Sequence, residues 1–418
     1  MLEAVVILAI SHARRHNSYR FSVRLVVILL LATSRSCIPS RTCFDTQRHS
    51  RFPIHHPTML GKIALEEAWA IPENFKAYDP TTLAPKGVIG GDLASNLMDV
   101  HGTRLQQMDE NGVDLMVLSL SSPGAQGEAD PSSAAALAKL ANDRRADEVA
   151  KNPSRFAGMV SVAMHDAAVA AEELRRCFQG KNGFVGVMLN DFQTCRDGEG
   201  KEGMIFYDSK EYDPFWAEAE RLDCPVYVHP RAAAGPIHDM MWKGRPWLEF
   251  SALGYAQRVA MHVLGIVTSG VLDRFPKLKI VVGHMGEQIS YDLYRIDHKL
   301  NRARFADMPM RKDKCVRDYF GSQLFITTSG HFSTPALMCA VQEVGVRAVM
   351  FAIDYPFESI PNGSVWFDEL TGDYHGLKRM APTECQVGGI GIRKEDRGRS
   401  MVEYGLYNES WDKREVRH

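Results

Sequence analysis

Between Met59 and about Leu370 the chain repeats one pattern eight times: a short apolar run rich in β-branched residues, then a longer stretch with helical spacing. The runs lie at 62–68, 115–121, 156–162, 184–190, 225–230, 279–286, 324–330 and 348–355. Strands that are apolar throughout are buried on both faces, which is the habit of a parallel sheet covered by helices. Helices are expected at 97–111, 132–152, 167–179, 212–222, 253–269, 288–305 and 334–344. Stop signals punctuate them: Asn111-Gly112, Ser269-Gly270 and Gly345. Eight βα units of this kind predict an α/β fold, the (β/α)8 TIM barrel.

The ends of these strands carry chemistry. Glu66, Asn190, His229, His284 and Asp354 each close an apolar run. A buried strand has no use for a carboxylate or an imidazole at its end unless something binds there. The C-terminal strand ends of a barrel are also where its active sites form. Alternation along the first strand sends Glu66 and Ala68 to one face and Glu67 to the other, so one of the adjacent carboxylates reaches the mouth.

Composition excludes other classes. A net charge of −2, with no basic stripe, gives no footprint for nucleic acid. The eight cysteines, Cys37, Cys43, Cys177, Cys195, Cys224, Cys315, Cys339 and Cys385, include no CxxC pair. That spacing fits reduced thiols in a cytoplasmic protein. Cys224 precedes His229 by five positions but opens its strand, so it is expected to be a buried structural thiol.

The two ends differ from the middle. Residues 1–58 are arginine-rich and nearly free of acids, with an apolar stretch at 23–32 too short to cross a bilayer. They are either a targeting segment or an extension of a chain whose natural start is Met59. A catalytic domain is expected over 59–370, with no membrane partner. The tail at 371–418 loses apolar periodicity, and no amphipathic helix is evident to close the barrel, so the final helix is expected to be defective.

Three segments carry a resemblance: GKIALEEAWA at 61–70, VGHMGE at 282–287 and FAIDYPFES at 351–359. With the supporting stretches 104–126, 184–191 and 212–231, they resemble the metal-dependent decarboxylase branch of the amidohydrolase superfamily. That branch includes 2,3-dihydroxybenzoate, γ-resorcylate (2,6-dihydroxybenzoate) and 6-methylsalicylate-type decarboxylases. The His-x-His pair of many amidohydrolases is replaced here by Glu66-Glu67-Ala68.

The resemblance implies that Glu66, His229 and Asp354 hold one divalent ion, Mn²⁺, Zn²⁺ or Mg²⁺, with no organic cofactor. It implies a small aromatic acid substrate, an ortho-hydroxybenzoate that loses CO₂ to give a phenol, as in aromatic compound and secondary metabolism. Asp354 takes the further role of proton donor to the ring. His284, hydrogen-bonded by Glu287 three residues on, assists with protons or braces the site. Asn190 corresponds to an amide that touches the substrate. Arg295 corresponds to an arginine near its distal group, or forms a surface ion pair with Asp292 or Asp297. Trp69 and Phe357, just past strands one and eight, are candidates to clamp the ring. His331 is a further residue at the mouth.

The family forms homo-oligomers, so a homodimer or homotetramer is expected, with the loop 231–250 and its Trp242 and Trp247 as a candidate contact. Two other outcomes are open: hydrolysis of a lactone or amide by metal-bound water, and an inactive homologue in which the tail leaves strand eight poorly held.

Overall fold

The computed structural model describes residues 61–77, 93–180, 183–300 and 303–373. The segment 1–58 and the tail beyond residue 373 lie outside the described residues. Eight parallel strands form one sheet in sequence order: Lys62–Trp69, Val113–Leu120, Phe156–Ser161, Phe184–Asn190, Val226–His229, Ile280–Val282, Leu324–Thr327 and Val349–Met350. All neighbours are parallel. The chain just beyond the last strand returns to the first, where the Ala68 N–H donates to the Tyr355 carbonyl at 2.7 Å. The sheet is a nearly closed barrel.

Two apolar layers hold it. Ile63, Leu65, Val117, Met159, Met188, Tyr227, Val281, Phe325 and Met350 form a cluster to which every strand contributes, which is the barrel interior. The opposite strand faces pack against the helices in larger clusters that include Val160, Val187 and Val226, and Met116, Leu118 and Leu120. Fully burying one such aliphatic side chain stabilises the fold by about 1.5–3 kcal/mol.

Helices Ala167–Gln179 and Thr334–Val344 have the predicted bounds. The helix expected at 97–111 is instead two, Leu93–Met98 and Thr103–Glu110. Asp99 breaks it, because its carboxylate accepts the N–H groups of Gly102 and Arg104 at 2.8 and 3.1 Å. An antiparallel hairpin, Gln193–Arg196 with Glu202–Ile205, was not expected, since its short polar strands carry no buried pattern.

The expectation of a defective final helix is corrected. Ile360–Asp373, the next helix after strand eight, runs for 14 residues, with Ile360 and Leu370 buried and Trp366 and Phe367 packed on the outer clusters. It begins before the polar tail, and Pro361 and Gly363 in its first turn mask the signal; proline is tolerated there. No helix among the described residues is long and apolar enough to cross a membrane.

Candidate metal and catalytic site

Glu66 reaches the mouth because the first strand is irregular. Ala64 pairs with Met116 and Glu67 with Leu118, so three steps on one strand match two on the other. Such a bulge re-aims the residues after it. Leu65 lies in the barrel interior, and strict alternation would have sent Glu66 outward. The extra residue turns Glu66 inward and sets Glu67 and Trp69 on the outer side.

The Glu66 carboxylate is 1% exposed. The Tyr227 hydroxyl, rising from strand five inside the barrel, donates to its Oε2 and also contacts Thr327 Oγ1 at 2.7 Å. Its Oε1 is buried with no hydrogen-bond partner and faces His229 Nε2 at 3.1 Å. His229 Nδ1 lies 2.6 Å from the Pro230 carbonyl, which fixes the ring and leaves Nε2 pointing into the mouth. One donor atom each from Glu66, His229 and Asp354 lie within 4.8 Å of one another. Two carboxylates and an imidazole converging on a buried point, one oxygen unsatisfied, form a donor set that fits a single divalent ion.

Glycine keeps the site open. A Cβ at Gly283 would stand 2.8 Å from Glu66 Oε2 and 3.2 Å from the Tyr227 hydroxyl. One at Gly330 would meet His284 Cδ2 at 3.2 Å and Asp354 Oδ2 at 3.4 Å.

His284 opens an unusual turn. His284, Met285, Gly286, Glu287 and Gln288 all have positive φ, a full turn of left-handed backbone after strand six. The conformation costs roughly 1–2 kcal/mol for each non-glycine residue. Burial of Met285, Gly286 and Glu287 and a Ser290 Oγ bond to the Met285 carbonyl at 2.9 Å help to offset that cost. Of six non-glycine residues with positive φ among the described residues, five are His284, Met285, Glu287, Gln288 and Asp354. Strain of this kind concentrates at working sites.

The turn points His284 Nε2 at Glu66 Oε1 and Asp354 Oδ2, both 3.6 Å away, while Glu287 Oε1 holds Nδ1 at 2.6 Å. Burial disfavours a charged His284, but Glu287, Glu66 and Asp354 outweigh it and raise its pKa well above the ordinary imidazole value. His229 is raised against burial by Glu66. Burial, reinforced by the Glu66 charge, pushes Asp354 up in spite of His284. Burial also works on Glu66, where His284 and His229 overcome it and hold the group low. Two neighbouring carboxylates are thus driven apart, one ionised and one towards its acid form.

The structure places the remaining predicted residues unevenly. Asn190 sits beside His229 in the sheet; its amide nitrogen is held by the Pro123 carbonyl at 2.9 Å and Gln126 Oε1 at 3.1 Å, and its Oδ1 is buried without a partner. Phe357 packs with Ala68, Ala70, Leu93 and Leu97 near the end of strand one.

Trp69 is corrected. It is buried in the outer cluster with the Arg145 guanidinium 5.3 Å from its ring, on the face away from the mouth. Arg295 is exposed and makes no hydrogen bond or ion pair to the cluster or to Asp292 or Asp297 among the described residues; Asp297 pairs with Arg317 instead. His331 is exposed. Cys224 is buried in the outer core, as expected of a structural thiol.

Sequence reasoning missed Tyr227, Thr327, Gly283, Gly330 and Gln126. Tyr227 could have been found, since it lies two positions before His229 on the same strand and faces the same interior.

The Amidohydro_2 family model, described as amidohydrolase, matches residues 96–372. The gamma-resorcylate decarboxylase of Rhodococcus jostii (strain RHA1) is 42% identical over 315 residues, spanning 74% of this chain and 92% of that relative. A crystal structure of 2,6-dihydroxybenzoate decarboxylase complexed with 2,6-dihydroxybenzoate is similar with a TM-score of 0.67 and 37% identity, covering 81% of this chain and 98% of the other. The dihydroxybenzoic acid decarboxylase of Polaromonas sp. JS666, solved with bound manganese and the inhibitor 2-nitroresorcinol, gives a TM-score of 0.70 and 36% identity, covering 81% and 99%.

Proposed function

The chain belongs to the amidohydrolase family, and on that premise we propose that Glu66, His229 and Asp354 hold one divalent ion for the decarboxylation of an ortho-hydroxybenzoate. It is a metal-dependent hydroxybenzoate decarboxylase, a carbon–carbon lyase. The observation that carries the reading is the convergence of the three donor atoms within 4.8 Å at the ends of strands one, five and eight.

Bound there, the ion supplies a Lewis-acidic anchor for neighbouring carboxylate and phenolate oxygens of the substrate. Asp354, biased towards its acid form, gives a proton to the ring carbon that bears the carboxylate. The carbon–carbon bond then breaks, its electron pair returns to the ring, and CO₂ leaves. Asp354 regains its proton from water. His284, steadied by Glu287, faces both Glu66 and Asp354 and keeps positive charge beside the reacting carboxylate. Asn190 offers its unpartnered Oδ1 to a substrate hydroxyl, and Phe357 bounds the ring.

Purified protein stripped by chelation should give no phenol from 2,3-dihydroxybenzoate, salicylate or 2,6-dihydroxybenzoate. Mn²⁺, Zn²⁺ or Mg²⁺ should restore CO₂ release from at least one of them. No product from any pairing would sink the reading.

Met240 is 83% and Trp247 71% exposed on the loop between strands five and six, which favours a homo-oligomer formed there. Light scattering should give at least twice the chain mass, and a monomeric mass at assay concentration rejects this part. We also read residues 59–370 as the catalytic domain and the setting as cytoplasmic. Cys177, Cys195, Cys224, Cys315 and Cys339 are all free thiols, and cell fractionation tests the location.

A further inference from the structure

Glu67 has no place in the site, yet it is a carboxylate with no exposure at all. A buried carboxylate is expensive unless its oxygens are satisfied. No cation is hydrogen-bonded to it among the described residues. Arg104, the nearby guanidinium, spends its bonds on the carbonyls of Ala68 at 2.8 Å, Asn96 at 3.1 Å and Asp99 at 2.9 Å. Instead, Glu67 Oε1 accepts the Ile353 N–H at 3.0 Å and Oε2 accepts the Tyr355 N–H at 3.1 Å.

Those two groups flank Asp354. Strand eight pairs with strand seven only at Val349 and Met350, so the backbone that carries Asp354 lies beyond the ladder. Asp354 itself has φ of +79°, a conformation that a non-glycine residue keeps only when its surroundings hold it there. The segment is held from both neighbours. From beyond strand seven the Gly330 N–H donates to the Ile353 carbonyl at 3.2 Å, and from strand one the Ala68 N–H donates to the Tyr355 carbonyl at 2.7 Å. The Glu67 side chain, on that same first strand, takes the two N–H groups that no backbone carbonyl among the described residues accepts. The Arg104 guanidinium lies 4.7 Å from the Tyr355 ring centroid and closes the clamp from outside.

We propose that Glu67 is a positioning residue for Asp354: its carboxylate grips the backbone on both sides of that residue and sets its side chain over the metal and the substrate ring. The two adjacent carboxylates of the first strand thus divide one task, Glu66 facing the ion from within and Glu67 aiming Asp354 from behind. The bulge makes both possible. The kinetic part of this proposal rests on the decarboxylase reading; the metal-binding part does not.

The test is Glu67→Gln in the full chain. A glutamine amide presents one acceptor and one NH₂ to two N–H donors, so one bond is lost and a donor faces a donor. Folded E67Q, judged by circular dichroism, should bind Mn²⁺ roughly 10–100-fold more weakly in calorimetry, the range for loss of an outer-shell support. At saturating Mn²⁺, which makes good the weaker binding, kcat should fall about as far, with KM within roughly 3-fold, because the proton donor stays mis-aimed.

A double-mutant comparison separates aim from general stability. In an Asp354→Ala background, where residue 354 offers the ion no ligand, adding E67Q should leave Mn²⁺ affinity unchanged. A further loss of about 10-fold there, or wild-type affinity and kcat in E67Q alone, overturns the proposal. If E67Q is recovered unfolded, Glu67→Asp decides in its place. It keeps both carboxyl oxygens but is one methylene shorter, so it should grip only one N–H and show an intermediate loss; wild-type behaviour overturns the proposal. Failure of the decarboxylase reading would look different: no turnover in the wild type, with the Mn²⁺ difference intact.

Discussion

Asp354→Asn is expected to lose turnover by roughly 10²–10⁴-fold, the range for removing a positioned proton donor, while still taking up Mn²⁺ and hydroxybenzoate. Asparagine keeps the volume and one of the two ligating oxygens, so a weakened metal site survives. It has no proton of suitable acidity to give. Loss of CO₂ from an arene requires the ring carbon to accept a proton, and the Asp354 carboxyl is the group at this site biased towards its acid form, by burial and by the Glu66 charge. A general acid is competent only below its own pKa, so wild-type kcat should decline as pH rises through that of the loaded site, and the residual rate of the variant should lack that limb. Metal content measured beside each rate separates the two duties of the residue. A variant holding stoichiometric Mn²⁺ with activity within about 10-fold of wild type would assign the proton to His284 or water instead.

Much of this was legible, for a physical reason. Strands buried on both faces leave unbroken apolar runs, so all eight were visible, and a polar residue closing such a run stands out because burial there is costly. Glu66, His229, His284 and Asp354 were singled out in this way, and their side chains converge at the barrel mouth.

What stayed hidden is backbone geometry. The bulge before Glu66 leaves no mark on the residue types, yet it decides which of Glu66 and Glu67 faces inward. The left-handed turn from His284 to Gln288 contains four non-glycine residues that local preference would place elsewhere; packing around Met285 imposes it. Trp69 was misplaced because alternation was followed from Glu66 to Ala68 and not one residue further, where it sends the indole outward. Arg295 could not be judged from spacing. Its helix, Ile289–Lys299, buries only Ile289, Ser290 and Leu293, so the half that carries Arg295 has already left the barrel.

The other large effect is expected at His229. Removing its ring by His229→Ala should abolish Mn²⁺ binding at concentrations that saturate the wild type, and activity with it. The argument is electrostatic. Glu66 Oε1 has no hydrogen-bond partner, and His229 Nε2 stands 3.1 Å away as the only neutral donor beside two carboxylates that repel each other. Without the imidazole, the ion must be held by Glu66 and Asp354 alone. Stability carries an independent reading of the same loss. Mn²⁺ at about 100 times its Kd should stabilise the wild type by roughly 2.7 kcal/mol. At about 2–4 °C per kcal/mol for a large domain, Tm should rise by several degrees. The H229A protein should show no such rise at the same concentration. His284→Ala gives the contrast, since it should keep most of the Mn²⁺-dependent rise while losing kcat. A His229→Ala protein that still gains stability from Mn²⁺ and still turns over would mean that the ion sits elsewhere in the barrel mouth, and the assignment of all three ligands would fall with it.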